Sequence, residues 1–397
     1  MNLGTVLKDG LLNNKNQGEG MKERLYYLDG IKGIACLMVA AHHFYALFGY
    51  VFWGTDILAD KTELFYNGTW CVRLFFMISA FLLASSVYRT CSVKSVRNTV
   101  IKRYLRLAFP VFGVTLLIWI MSQFGLFYNM ELTHICQDPD YTGGYDVKRP
   151  FLQVFTTSFG TTIFAGNSDF NNKFWMITPL FWGNILALGL SVLTNLSRKK
   201  SHVVSGVLFT LGTALVLFFI PKYFSFVLGT VLAYWYVNAR ETRTGSVWIC
   251  VYTVILLAGL GLSEFHLIPK GMMVNLGITK LEGFSFLEDH NFYYAIGIFL
   301  ILFAVIRLKW VQKILAIKPL RFLGDCSYYV FLVHWPIMCS LSAWFYLTFE
   351  NRLNGVLLAR LIFLLTILFI IMVSWLFTRT YEKGCNRITK RIVDKLP

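Results

Sequence analysis

Two histidines lie deep inside apolar stretches of the sequence, where an ionisable side chain is costly. His43 follows Lys32 by eleven positions, so on a helix it lies ~16 Å further into a bilayer. His334 follows Asp325 by nine positions, a rise of ~13 Å. A neutral imidazole at that depth needs a polar partner or a water-filled cavity. It suits a general base or an acyl carrier, and the ordinary alternative is a hydrogen bond between helices. His42 lies about 100° from His43 around a helix, so we expect only one of these two side chains to have a chemical role.

A second apolar stretch contains Arg73 and Ser79. If its helix enters from the outer surface, Arg73 lies roughly 10–12 Å deep. The guanidinium either reaches back to the surface or faces the same cavity as His43. Ser79 lies deeper, and either bonds to a neighbouring helix or lines the site. Both residues are therefore candidates for stabilising a developing negative charge.

Arg103 and Arg106 begin a third apolar stretch and, being three residues apart, share one helix face. Two guanidinium groups on one face suit a phosphate-bearing ligand. The ordinary alternative is a basic flank at the end of a membrane helix. Lys32, at the same predicted surface, is a third candidate for such a ligand.

The elements that must position these residues follow from composition. Of the 397 residues 56% are apolar and 15% are charged, with a mean hydropathy of +0.58, which is the composition of a membrane protein. Ten segments are long enough to cross a bilayer, so we predict an all-α polytopic protein with about ten transmembrane helices. The segments are 31–53, 65–88, 104–127, 173–194, 202–220, 222–239, 246–263, 291–309, 322–347 and 354–378.

The formal net charge of +16 comes from basic residues in alternate short loops, while the opposite loops carry most of the acids. This distribution places both termini in the cytoplasm, and it argues against nucleic-acid binding. Two long loops, 128–172 and 264–290, then lie outside, as a solvated cap or a sugar-binding surface. We predict a disordered cytoplasmic tail over 1–24, a transmembrane domain over 25–380 and a basic cytoplasmic tail over 381–397.

The eight cysteines form no CxxC pair and no His/Cys cluster. We therefore expect no metal site, no disulfide framework and no bound cofactor.

Four motifs together resemble the integral membrane acyltransferases known as the acyltransferase-3 family, over about residues 25–380. They are Leu28-Asp29-Gly30 with Lys32 and His43, Leu74-Phe75-Phe76-Met77-Ile78-Ser79, Arg103-x-x-Arg106 running into Pro110, and Ser327-Tyr328-Tyr329 followed by Leu332-Val333-His334-Trp335-Pro336.

The resemblance implies O-acylation, usually O-acetylation, of an extracytoplasmic or lipid-linked glycan from cytoplasmic acyl-CoA. The histidine that matches His43 is the essential catalytic residue of the family, and the pair matching Arg103 and Arg106 is associated with the donor. With Lys32 these arginines would hold acyl-CoA, usually acetyl-CoA, as a co-substrate. Arg73, Ser79 and His334 remain possible site-lining residues. We expect a multi-pass protein of the bacterial inner (plasma) membrane.

The chain departs from the family pattern at two places. Ala80 follows Ser79 where the family commonly has glycine, and the stretch Trp175-Met176-Ile177-Thr178-Pro179-Leu180 lacks the family's glutamate. We therefore assign no catalytic carboxylate.

Two other classes of function remain open. A proton-coupled transporter or glycan exporter also fits the membrane-embedded His and Arg residues, although the sequence shows neither internal repeats nor broken helices. A structural membrane protein without chemistry leaves the two deep histidines unexplained.

Overall fold

The computed structural model describes residues 24–53, 67–90, 92–132, 145, 148–198, 201–239, 245–263 and 289–396. The predicted disordered tail, except for Arg24, lies outside these residues. All regular elements among them are helical, which confirms the predicted all-α class. The helices are α1 Tyr26–Trp53, α2 Gly68–Arg89, α3 Val93–Gln123, α4 Phe151–Thr156, α5 Thr162–Phe164, α6 Ile177–Arg198, α7 His202–Phe219, α8 Phe224–Asn238, α9 Ser246–Ser263, α10 His290–Val305, α11 Lys309–Leu315, α12 Lys318–Ile337, α13 Ala343–Phe349, α14 Gly355–Arg379 and α15 Tyr381–Asp394.

A helix occupies each of the ten segments predicted to cross the membrane. Within the described part of the chain, eight helices are long and apolar enough for a full crossing. The pair α10 and α11 would make a ninth, but it bends by 102° at a short break. Helix α8 has 15 residues and is shorter than a full crossing. The break between α10 and α11 lies at the end of the predicted span 291–309, and α11 occupies the basic loop that follows this span.

Helices α1, α2 and α12 form the centre of the bundle, and α1 and α12 pack very closely. A Cβ atom on Gly324 of α12 would overlap the backbone carbonyl of Asp29 in α1, and a Cβ on Gly30 would overlap the carbonyl of Leu315. Only glycine permits backbones to approach this closely. Gly30 packs against the end of α11, and Gly324 lets α12, which carries His334, lie against α1, which carries His43.

Segment 148–164 runs along α3 instead of forming an external cap. The Trp119 indole nitrogen donates to the Arg149 carbonyl, and the Tyr104 hydroxyl donates to the Phe159 carbonyl at 2.8 Å. Tyr104 and Trp119 are fifteen residues apart on one helix, so the segment descends by ~22 Å. The prediction that all of loop 128–172 lies outside the membrane is wrong for this part, because apolar side chains such as Phe155 pack against α3. The acidic stretch 138–144 lies outside the described residues.

Helix α15 continues the chain after α14 and packs against α3. The Tyr381 hydroxyl donates to the Phe109 carbonyl at 2.9 Å, and the side of α15 that carries Cys385, Thr389 and Val393 is buried. The predicted basic tail is thus, over 381–394, an amphipathic helix that forms part of the wall of a cavity.

Candidate functional site

Two cavities enter the helix bundle from opposite ends. The inner cavity, of about 720 Å³, opens at the end predicted to face the cytoplasm. The outer cavity, of about 350 Å³, lies where α2 and α6 begin. Each cavity brings together residues from several helices, so the arrangement depends on packing between distant parts of the chain.

Cationic side chains line the inner cavity and include all three predicted donor-binding residues. Lys32, Arg103 and Arg106 line it together with Arg24, against the carboxylates of Asp325 and Glu382. Arg103 donates to the Ser79 carbonyl at 3.3 Å. Neither Arg103 nor Arg106 forms a salt bridge with a described carboxylate, so their guanidinium groups suit an anionic ligand.

Lys32 and Arg24 belong instead to a charge network at the mouth of this cavity. The Lys32 ammonium lies 2.8 Å from Asp29, and Arg24 bridges Asp29 and Asp325. Partial burial lowers the pKa of Arg24, but the side chains of Asp325 and Asp29 outweigh that effect and raise the pKa above its ordinary value. Arg24 therefore remains charged, and it ties α1 to α12. Lys32 contributes positive charge to the cavity but is already paired.

The outer cavity holds the histidines. His42 and His43 both line it, although we expected only one of them to have a chemical role. Helix α2 leaves room for His42 because it starts with Gly68, where a Cβ atom would come within 2.8 Å of the His42 ring. Lys173 and Trp175, in the 3-10 turn Asn172–Met176 that precedes α6, also line this cavity.

The hydrogen bond of His43 fixes which ring nitrogen is basic. Nδ1 of His43 lies 3.0 Å from the Val39 carbonyl oxygen. A carbonyl can only accept, so Nδ1 carries the proton, and in the neutral ring Nε2 has the lone pair. His43 therefore has the tautomer that a general base requires, with its orientation held by its own helix.

His334 lies directly behind His43. The two ring centroids are 4.9 Å apart, and His334 is fully buried. Its Nδ1 donates to the Phe331 carbonyl at 2.7 Å, and its Nε2 has no hydrogen-bond partner among the described residues. His334 lines neither cavity, and its ring packs against that of His43.

Lys173 is a site residue that the sequence reasoning missed. Its side chain is only 7% exposed, and its ammonium lies 4.2 Å from the centre of the Trp335 ring. Asn171 fixes this placement, since its side chain accepts from the Lys173 backbone and donates to the Leu332 carbonyl of α12. The sequence marks Lys173 only as a lysine at the start of an apolar span. Ordinary basic residues that flank membrane helices have the same position, so this feature does not distinguish a site residue.

Arg73 and Ser79 do not lie with His43. Arg73 lines neither cavity; it donates to the Asn291 side chain at 3.0 Å and the Lys222 carbonyl at 2.6 Å, tying α2 to the outer ends of α8 and α10. Ser79 lines the inner cavity, and its hydroxyl donates to the Asn184 side chain.

No group of three or more His, Cys, Asp or Glu side chains suited to a metal ion occurs among the described residues. The donor set at the outer cavity, two imidazoles and an ammonium, suits proton transfer and binding of negative charge.

Comparison with known protein families gives one finding. A family model described as an acyltransferase domain (Acyl_transf_3) matches residues 25–379. No curated protein and no solved structure matches the chain.

Proposed function

The chain belongs to the acyltransferase-3 family of integral membrane acyltransferases, and from this premise we propose which groups it transfers and how. The donor is cytoplasmic acyl-CoA, with acetyl as the usual acyl group. The acceptor is a hydroxyl of an extracytoplasmic or lipid-linked glycan of the cell envelope. The protein resides in the bacterial inner (plasma) membrane.

One observation carries this proposal: a cationic cavity and a histidine-lined cavity meet inside the bundle. Arg103 and Arg106 lie in the first and His43 in the second. A donor with phosphates at one end and a thioester at the end of a long arm fits this division. Its phosphates pair with the guanidinium groups, while its arm extends toward the imidazole.

The transfer step uses the tautomer of His43. The acceptor hydroxyl gives its proton to Nε2 as its oxygen bonds to the thioester carbonyl carbon. The carbon–sulfur bond then breaks, and the proton passes from His43 to the departing thiolate, which leaves as the CoA thiol. In an alternative route Nε2 attacks the thioester carbon, the carbon–sulfur bond breaks and the CoA thiolate leaves. The acyl group then passes from Nε2 to the oxygen of the acceptor hydroxyl, whose proton goes to the thiolate.

Negative charge develops on the thioester oxygen during either route. Lys173 lies in the same cavity and carries a fixed positive charge, held by its contact with Trp335. A cation aimed at the developing oxyanion stabilises the transition state more than the ground state. We therefore assign this role to Lys173 in place of Arg73 and Ser79.

A transporter or glycan exporter is the second candidate, because the buried side chains of His334 and Arg73 would also suit a proton-coupled carrier. The two functions differ in covalent chemistry. Purified protein mixed with membrane glycans should release free CoA thiol from acetyl-CoA, or from a longer acyl-CoA if acetyl is not the donor group. Thiol release from none of these donors would favour the transporter.

A further inference from the structure

Phe331 is the one described residue that lines both cavities. It lies on α12 one turn after Tyr328, which lines the inner cavity, and one turn before His334, whose ring touches that of His43. These three residues follow one another along α12 at intervals of ~4.5 Å. The phenyl ring is 4% exposed and stands between the arginines and the imidazoles.

We propose that the Phe331 side chain is a movable partition that turns aside for the donor arm and then packs against it, so that water of the inner cavity does not follow the thioester to His43. This inference rests on the proposed function, because it assumes that a thioester enters from the inner cavity and reacts beside His43. It assigns the protection of the acyl group from hydrolysis to one side chain.

The surroundings of Phe331 allow the ring to move but hold its backbone. Its carbonyl accepts the His334 Nδ1 proton at 2.7 Å, and the ring centroid lies 5.6 Å from that of His334. Both residues lie on α12, so this bond fixes the His334 ring to the backbone of its own helix and does not involve the Phe331 side chain. Rotation of the Phe331 side chain between staggered rotamers would keep the bond, and it would join two spaces that already border the ring.

An open partition would let the enzyme hydrolyse its acyl-CoA donor, because His43 activates water as readily as a sugar hydroxyl. Water would give its proton to His43 while its oxygen bonds to the acyl carbon. The carbon–sulfur bond would break and the proton would pass to the thiolate. The products would be the free carboxylic acid and the CoA thiol, so exclusion of water matters for transfer.

The test uses purified full-length protein and acetyl-CoA without any acceptor. Phe331→Ala, and the milder Phe331→Leu, should raise the rate of acetyl-CoA hydrolysis by about tenfold over wild type. The increase should vanish when His43→Ala is added. Phe226→Ala removes another buried phenyl ring, which lines neither cavity, and should leave hydrolysis at the wild-type rate.

Phe331→Trp tests the opposite direction. A larger ring should lower kcat for transfer to glycan while KM for acetyl-CoA stays constant, because the arginines are not altered. Wild-type hydrolysis rates in Phe331→Ala and Phe331→Leu, with transfer retained, would overturn the partition and leave the acyltransfer proposal standing. Absence of transfer in the wild type with every acyl-CoA would overturn both.

Discussion

Replacement of Arg106 by glutamine tests whether the inner cavity binds the phosphates of the donor. Arg106 lines this cavity with no described carboxylate in salt-bridge range, and it lies one helical turn from Arg103. The substitution removes the positive charge and leaves the helix intact, since glutamine is a good helix former.

The size of the effect follows from the exposure of Arg106. A hydrogen bond to a charged group contributes about 1.5–3 kcal/mol, and solvent screening at an exposed guanidinium favours the lower end. A loss of about 1.5 kcal/mol raises KM for acetyl-CoA about tenfold. The value of kcat should not change, because the phosphate contact is the same in the ground state and the transition state.

The assay compares acetyl-CoA with S-acetyl-pantetheine, a donor that has the thioester and the arm but lacks the nucleotide phosphates. Arg106→Gln should raise KM for acetyl-CoA but not for the truncated donor, because two changes that remove the two partners of one contact are not additive. Arg89→Gln is the matched control, because Arg89 lines neither cavity and contacts the Tyr236 ring instead. An equal rise in KM with both donors would refute the phosphate contact.

Three further substitutions separate packing from chemistry. Gly324→Ala should abolish the recovery of monodisperse protein in detergent, because its Cβ overlaps a backbone carbonyl of α1, whereas Gly189→Ala, with open space around its Cβ, should be tolerated. Arg73→Met should lower the free energy of unfolding by about 3 kcal/mol, since it leaves the Asn291 side chain and the Lys222 backbone carbonyl without their buried donor. Thermal unfolding in detergent measures this loss. The protein that remains folded should keep the wild-type KM for acetyl-CoA. Lys173→Met should lower kcat about a hundredfold with KM for acetyl-CoA unchanged, and Lys173→Arg should recover part of that loss.

Each of these expectations has a clear contrary result. Soluble, active Gly324→Ala protein would show that α1 and α12 do not pack as described. An unchanged Tm in Arg73→Met would mean that its hydrogen bonds contribute nothing to the fold. A Lys173→Met enzyme with wild-type kcat would remove Lys173 from the transfer step.

Much of the fold could be predicted because hydrophobicity is a local property of the chain. The ten apolar segments each form a helix, and the four motifs together identified the family. Depth along a helix is also local, so the sequence could place His43 and His334 at comparable levels. Equal depth does not show that two helices are neighbours. The structure shows it, since the rings of His43 and His334 lie 4.9 Å apart.

The missed features depend on packing between segments far apart in sequence. Segment 148–164 was predicted to be external because the distribution of basic residues places the whole loop 128–172 outside. Its contacts along α3 show where it lies. Lys173 looked like a flanking residue until its place over Trp335 was known. Phe331 is one phenylalanine among 36, and nothing in its local sequence marks it as the boundary between two cavities.

The central claim is that this membrane acyltransferase performs its chemistry at His43. The most direct measurement is the transfer of radiolabelled acetyl from acetyl-CoA into a membrane glycan fraction by wild type, His43→Ala and His202→Ala. His202 is a matched control because it is exposed at the start of α7 and lines neither cavity. Its imidazole hydrogen-bonds to the Tyr234 hydroxyl of α8. The account predicts label in the glycan for wild type and His202→Ala, and none for a correctly inserted His43→Ala. Equal labelling by all three proteins would contradict it.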